Sequence, residues 1–149
     1  MKRFISFVLL VAVTLSLFSC EKKVEAKDLL SDFLTLYGAD GVIYSPEMLE
    51  GEEGYIPDGF VERLYIFNRP FPENYALYFN SRPDCYYECG VFVCQSSDEL
   101  KQIEEACLER IRLLSAKERA FVSVNNNVVF YSTMKNKERA GKVWREIIR

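Results

Sequence analysis

Between Asn74 and Ile148 the spacing of apolar residues switches from two to between three and four, and does so twice in the same order. Tyr75, Leu77 and Phe79 alternate through Asn74–Ser81, the period of a strand with one buried face. Arg82-Pro83-Asp84 reads as a turn, and Cys85–Cys94 as a second strand antiparallel to the first. Ser97 then reads as the cap of a long helix with Leu100, Ile103, Cys107, Ile111 and Leu114 on one stripe. The order repeats: Ala120–Val124 and Val128–Thr133 are strands joined by Asn125-Asn126-Asn127, and asparagine tolerates the positive φ of a tight hairpin. Ala140, Val143, Trp144, Ile147 and Ile148 close the chain as an amphipathic helix, so Trp144 is expected to pack on the sheet. A segment patterned for one period buries poorly in the other, so this alternation admits few folds.

Upstream, Ala26, Leu29, Leu30, Phe33, Leu34 and Tyr37 fall on one face of a helix over 24–37, which Gly38 ends. Val42–Tyr44 is a short extended piece, and Ser45-Pro46-Glu47 resembles a helix start with proline in its first turn. A short helix is expected within Asp58–Phe67, with Phe60, Leu64 and Phe67 on one side, before a loop at Asn68–Glu73. The expected fold is α+β: an N-terminal helix followed by two ββα units, forming a four-stranded antiparallel sheet with the helices on one face.

Residues 1–20 belong to a different regime. Lys2 and Arg3 precede an apolar run from Phe4 to Phe18, too short for an ordinary spanning helix of roughly 20 residues. Leu17-Phe18-Ser19-Cys20 then resembles a bacterial lipobox, although a small residue is commoner where Phe18 stands. The expected organisation is a lipoprotein signal peptide over 1–19, a polar tether over 20–26 starting at a lipidated Cys20, and a single domain over 27–149. An ordinary secretory signal or an uncleaved anchor is the alternative, and either places the domain outside the cytoplasm. The lipoprotein reading puts it on the outer face of the bacterial cytoplasmic membrane.

Charge and composition narrow the function classes. The chain has 19 Lys and Arg against 22 Asp and Glu; without Lys2 and Arg3 the remainder has 17 against 22, a formal −5. An acidic body argues against nucleic acid as a partner. Histidine is absent, which removes the commonest general base and the commonest metal ligand and leaves Lys, Asp, Glu and Tyr for acid–base work. No cofactor or metal is implied. Glu47, Glu50, Glu52, Glu53 and Asp58 form an acidic run without the spacing of a calcium loop, and read as solvated.

Cys85, Cys89, Cys94 and Cys107 remain beyond Cys20. An even number in an exported chain suggests disulfides, and the alternative is four reduced thiols. A zinc site fits the spacing poorly. If the long helix folds back over its preceding strand, Cys107 falls nearer Cys89 than Cys94, so Cys89–Cys107 is the expected pair if one forms. The stretch from Tyr55 to Phe79 is dense in aromatics. Alternation should turn Tyr75 and Phe79 one way and Tyr78 the other, one set into the core. Tyr65, Phe67 and Tyr78 are the candidate binding surface, with core packing as the alternative.

Glu88-Cys89-Gly90-Val91-Phe92-Val93-Cys94, Cys107-Leu108-Glu109-Arg110-Ile111 and the final hairpin with its Trp144 helix resemble an uncharacterised lipoprotein domain family of Gram-positive bacteria, over most of residues 24–149. The resemblance implies lipidation chemistry at Cys20 and brings no activity or catalytic residues. The expected function is non-catalytic: binding a small ligand or another envelope protein while anchored to the membrane by lipid. The rival is an enzyme using carboxylates or tyrosine on an extracellular polymer.

Overall fold

A computed structural model of the chain describes residues 24–66, 71–82 and 85–149. Residues 1–23, on which the expected signal peptide, Cys20 and most of the expected tether fall, and Phe67 lie outside the described residues. Helix α1 (Ala26–Tyr37) ends where Gly38 turns left-handed at φ 76° and returns its N–H to the carbonyls of Leu34 and Thr35. Strand β1 (Ile43–Tyr44) follows, then a short helix α2 (Phe60–Leu64), the long strands β2 (Asn74–Arg82) and β3 (Cys85–Val93), helix α3 (Ser97–Leu113), the hairpin β4 (Phe121–Asn125) and β5 (Val128–Ser132), and helix α4 (Lys137–Ile147). Ser96, not Ser97, caps α3: its hydroxyl accepts from the Glu99 N–H. Ser45-Pro46-Glu47 forms a turn and starts no helix.

The sheet has five antiparallel strands in the order β1-β2-β3-β5-β4. Four strands were expected. The fifth is β1, whose Ile43 and Tyr44 pair with Tyr78 and Leu77 and are too few to show a period.

Helices cover both faces, which corrects the expectation of helices on one face. On the first face α1 and α4 pack through Leu30, Phe33, Ala140, Val143 and Trp144 onto Ala76, Tyr78, Cys89, Val91, Val128 and Phe130. The Trp144 ring stacks on Phe130 with centroids 4.0 Å apart, as the stripe on α4 predicts. On the second face α3 and α2 pack through Ile103, Cys107, Ile111, Val61 and Tyr65 onto Leu77, Phe92, Val129 and Tyr131. Alternation along β2 holds as expected, with Tyr75 and Phe79 on the second face and Tyr78 on the first. A sheet buried on both sides needs apolar residues at both parities, and all five residues of β5 are buried.

Candidate functional site

Among the described residues, polar side chains from several elements gather at a sealed carboxylate under α3 and at an open cleft at the end of α1.

The carboxylate is Glu88, fully buried on the second face of β3. Arg110 reaches down from α3 and grips both its oxygens, Nε to Oε1 at 2.8 Å and Nη2 to Oε2 at 2.9 Å. The Tyr131 hydroxyl donates to Oε1 at 2.8 Å and the Tyr86 hydroxyl to Oε2 at 2.9 Å. Tyr65 and Tyr131 share a further hydroxyl–hydroxyl bond. Since Tyr131 spends its proton on Glu88, Tyr65 is the donor in that bond. Gly90 makes the arrangement possible. A Cβ there would stand 2.5 Å from the Tyr131 ring, so the missing side chain is the space the ring crosses to reach Glu88.

Electrostatics follows from this closure. Burial and the Glu88 charge hold the hydroxyls of Tyr65 and Tyr131 well above the usual phenol range, and push Tyr86 up to about 12. Burial opposes the Arg110 charge, but bonding to Glu88 outweighs it and raises the guanidinium further. Each carboxylate oxygen already accepts two charge-assisted or phenolic bonds, so all four lone-pair sites are used. With these bonds the carboxylate is fully engaged inside the protein. Its chemistry is spent on locking α3 to β3 and β5.

The thiols are equally committed. Cys89, Cys94 and Cys107 are buried and unpaired. Burial pushes Cys89 up to about 12, and burial with the Glu99 charge does the same to Cys94. Cys107 is raised by burial and by Cys94 beside it. Thiols held protonated are poor nucleophiles. The expected Cys89–Cys107 pair is corrected: Cys89 packs under α1 and α4, bonding the Ser132 hydroxyl at 3.4 Å, while Cys107 packs on the opposite face. Strand parity decides this, since Cys94 shares the α3 face and Cys89 does not.

The candidate binding surface is corrected as well. Tyr65 and Tyr78 are core residues, each 1 % exposed. Val61 and Tyr65 form the buried side of α2, which leaves Phe60 outside. Tyr78 lies under the chain after α1 and donates its hydroxyl to the Asp40 carbonyl at 3.1 Å. The acidic run is solvated, and among the described residues no group of His, Cys, Asp or Glu is placed to hold a metal.

The cleft is built on Tyr78. About 210 Å³ opens between the end of α1, β2, β3 and the β5–α4 connection, walled by Tyr37, Asp40, Asn80, Tyr87 and Lys135. Gly38 turns the chain sharply enough to form one rim. The tyrosine walls are held from behind. Arg139 lies over the Tyr37 ring at 5.0 Å, and the Tyr37 hydroxyl accepts from the Asn136 N–H at 3.2 Å. Arg119 lies over the Tyr87 ring at 5.5 Å and is itself fixed by the carbonyls of Thr133 and Tyr86. Two braced aromatic walls with an acid, an amide and a lysine suit a small polar ligand with some apolar surface. Sequence reasoning missed Tyr37, Asn80, Tyr87 and Lys135, because they converge only when α1 and α4 share a face.

Comparison with protein-family models, with curated proteins and with solved structures finds no match.

Proposed function

We propose that this protein is an exported lipoprotein, anchored at Cys20 on the outer face of the cytoplasmic membrane, whose domain binds a small polar ligand or another envelope protein without transforming it. The location rests on Lys2-Arg3, the apolar run and Leu17-Phe18-Ser19-Cys20. The binding reading rests on one observation, the braced cleft between Tyr37 and Tyr87. The alternative, an enzyme using carboxylates or tyrosine on an extracellular polymer, would be favoured by two or more convergent carboxylates in a deep pocket. Among the described residues lining this cleft, Asp40 is the one carboxylate.

Two measurements on the full chain test the two halves. Cys20→Ala should abolish fatty-acid labelling and release the protein from the membrane fraction; unchanged labelling overturns the anchor. Compounds that raise the melting temperature of the wild type should lose that effect with Tyr87→Ala. Ligands unaffected by that substitution would place the binding site elsewhere.

A further inference from the structure

The outer edge of the sheet is strand β4, Phe121-Val122-Ser123-Val124-Asn125, with neither a charge nor a proline. Sheet edges usually carry such guards, because an unpaired strand is a template for another strand. The phase of its free groups follows from its neighbours. Cys94 N–H donates to the Asn127 carbonyl and Thr133 N–H to the Glu88 carbonyl, so odd-numbered residues of β5 bond to β3 and even-numbered ones to β4. With Ser123 opposite Phe130, the residues Phe121, Ser123 and Asn125 bond inward, and the backbone N–H and C=O of Val122 and Val124 point off the edge. Among the described residues nothing pairs with them.

We infer that β4 pairs antiparallel with β4 of a second copy of this chain, about a two-fold axis at Ser123. Val122 of each copy then faces Val124 of the other and exchanges two backbone hydrogen bonds with it, four in all, while Ser123 faces Ser123 in a non-hydrogen-bonded pair. Identical charges cannot meet along the seam, because the strand has none. Val122 and Val124 share the α3 face, and Val124 is 37 % exposed there. On α3, Arg110 lies on the flank facing β3, so Leu108 lies on the flank that overlooks the β4 edge, half-exposed. The two α3 helices meet across the seam with Leu108 between them.

What commits the occupant to a second copy is where the chain leaves the fold. An axis relating two antiparallel neighbouring strands stands normal to the sheet, so it keeps α1 of both copies on the same face. Both tethers, which run into α1 at Ala26, therefore emerge on one side of the joined sheet, as two anchors in a single membrane require. That step rests on the lipoprotein reading above; the edge chemistry does not. Confinement to one membrane raises the local concentration and lets a short seam suffice.

The test is Ser123→Cys in the full chain, oxidised with copper phenanthroline both in membranes and after detergent solubilisation, with wild type as the background from native thiols. Cross-strand partners at a non-hydrogen-bonded position lie roughly 4.5 Å apart at Cα, within disulfide reach. A covalent homodimer should form in the variant only, and adding Val124→Lys should reduce it at least severalfold by placing like charges in the seam. Val122→Pro, which removes an outward N–H and leaves the β5 ladder intact, should do the same and replaces Val124→Lys if that variant loses its circular dichroism. No homodimer from folded Ser123→Cys, a crosslink to a different protein in its place, or a homodimer indifferent to both edge substitutions would overturn the inference. The two readings fail separately: a homodimer in detergent without fatty-acid labelling removes the anchor alone, and labelling without a homodimer removes the seam alone.

Discussion

Arg110→Met tests whether the grip on Glu88 holds the second face together. The substitution keeps most of the side-chain length and removes both guanidinium bonds, at 2.8 and 2.9 Å, from a fully buried carboxylate. A hydrogen bond to a charged group contributes about 1.5–3 kcal/mol, so two losses set a ceiling of about 3–6 kcal/mol. Removing one partner of a buried pair typically costs about 3–5 kcal/mol. The Arg110 side chain is 13 % exposed, so water recovers a little of that, and we expect about 3–4 kcal/mol. Glu88 keeps the Tyr86 and Tyr131 hydroxyls, which limits the damage to a loss of stability. Urea titration followed by circular dichroism measures the effect. Glu88→Leu combined with Arg110→Met should recover at least half of the loss, because the stranded charge is gone. If Arg110→Met alone unfolds within about 1 kcal/mol of wild type, water already reaches Glu88 and the closed network described above is wrong.

Trp144→Ala should cost about 3–5 kcal/mol, since it removes the largest ring of the first face from its stack on Phe130; a wild-type urea midpoint would place Trp144 outside the core. The thiols give a pH dependence of definite sign. Cys89 and Cys94 are raised from 9.0 to about 12 in the folded state, so their contribution is intact below pH 9.0 and is lost as pH rises toward about 12. Melting temperature should fall over that window, and Cys89, Cys94 and Cys107 should react with a thiol reagent at pH 8 only as fast as the protein opens. Immediate labelling of all three in the folded protein would contradict their burial.

The strands β2 to β5 and the helices α1, α3 and α4 were legible because each has a face with a clear period. β1 was legible only as a short extended piece at Val42–Tyr44, not as a strand of the sheet, since two residues have no period and its pairing with Tyr78 and Leu77 is a long-range event. The placement of helices on both faces was missed by giving the sheet one covered face, although β3 carries apolar residues at both parities, Cys89, Val91 and Val93 against Phe92 and Cys94. Glu88 shares the parity of Gly90, Phe92 and Cys94, which puts it under α3. An acid at that parity and an arginine beside the stripe of the next helix were the available signal. The Cys89–Cys107 expectation failed from the same assumption: a sheet with one covered face cannot separate the two thiols, and a sheet with two does. Tyr65 and Tyr78 became core because a three-layer fold has more interior than a two-layer one. The cleft was beyond sequence reasoning, since its walls come from four separate parts of the chain.

The strand order has a consequence for how the chain can assemble. β2 and β3 are sequence neighbours and can zip as a local hairpin, but the other side of β3 waits for β5, which follows only after α3 and β4. A ribosome or a secretion channel delivers the chain from its N-terminus, so β3 spends that interval with one flank unsatisfied. The piece that completes it is a strand every residue of which ends up buried. Each half is therefore sticky until the other arrives, and closing that long loop sets the pace of folding more than any local preference does. Keeping β4 attached to β5 by a two-residue turn shields one side of the late strand in transit and leaves the correct side open for β3.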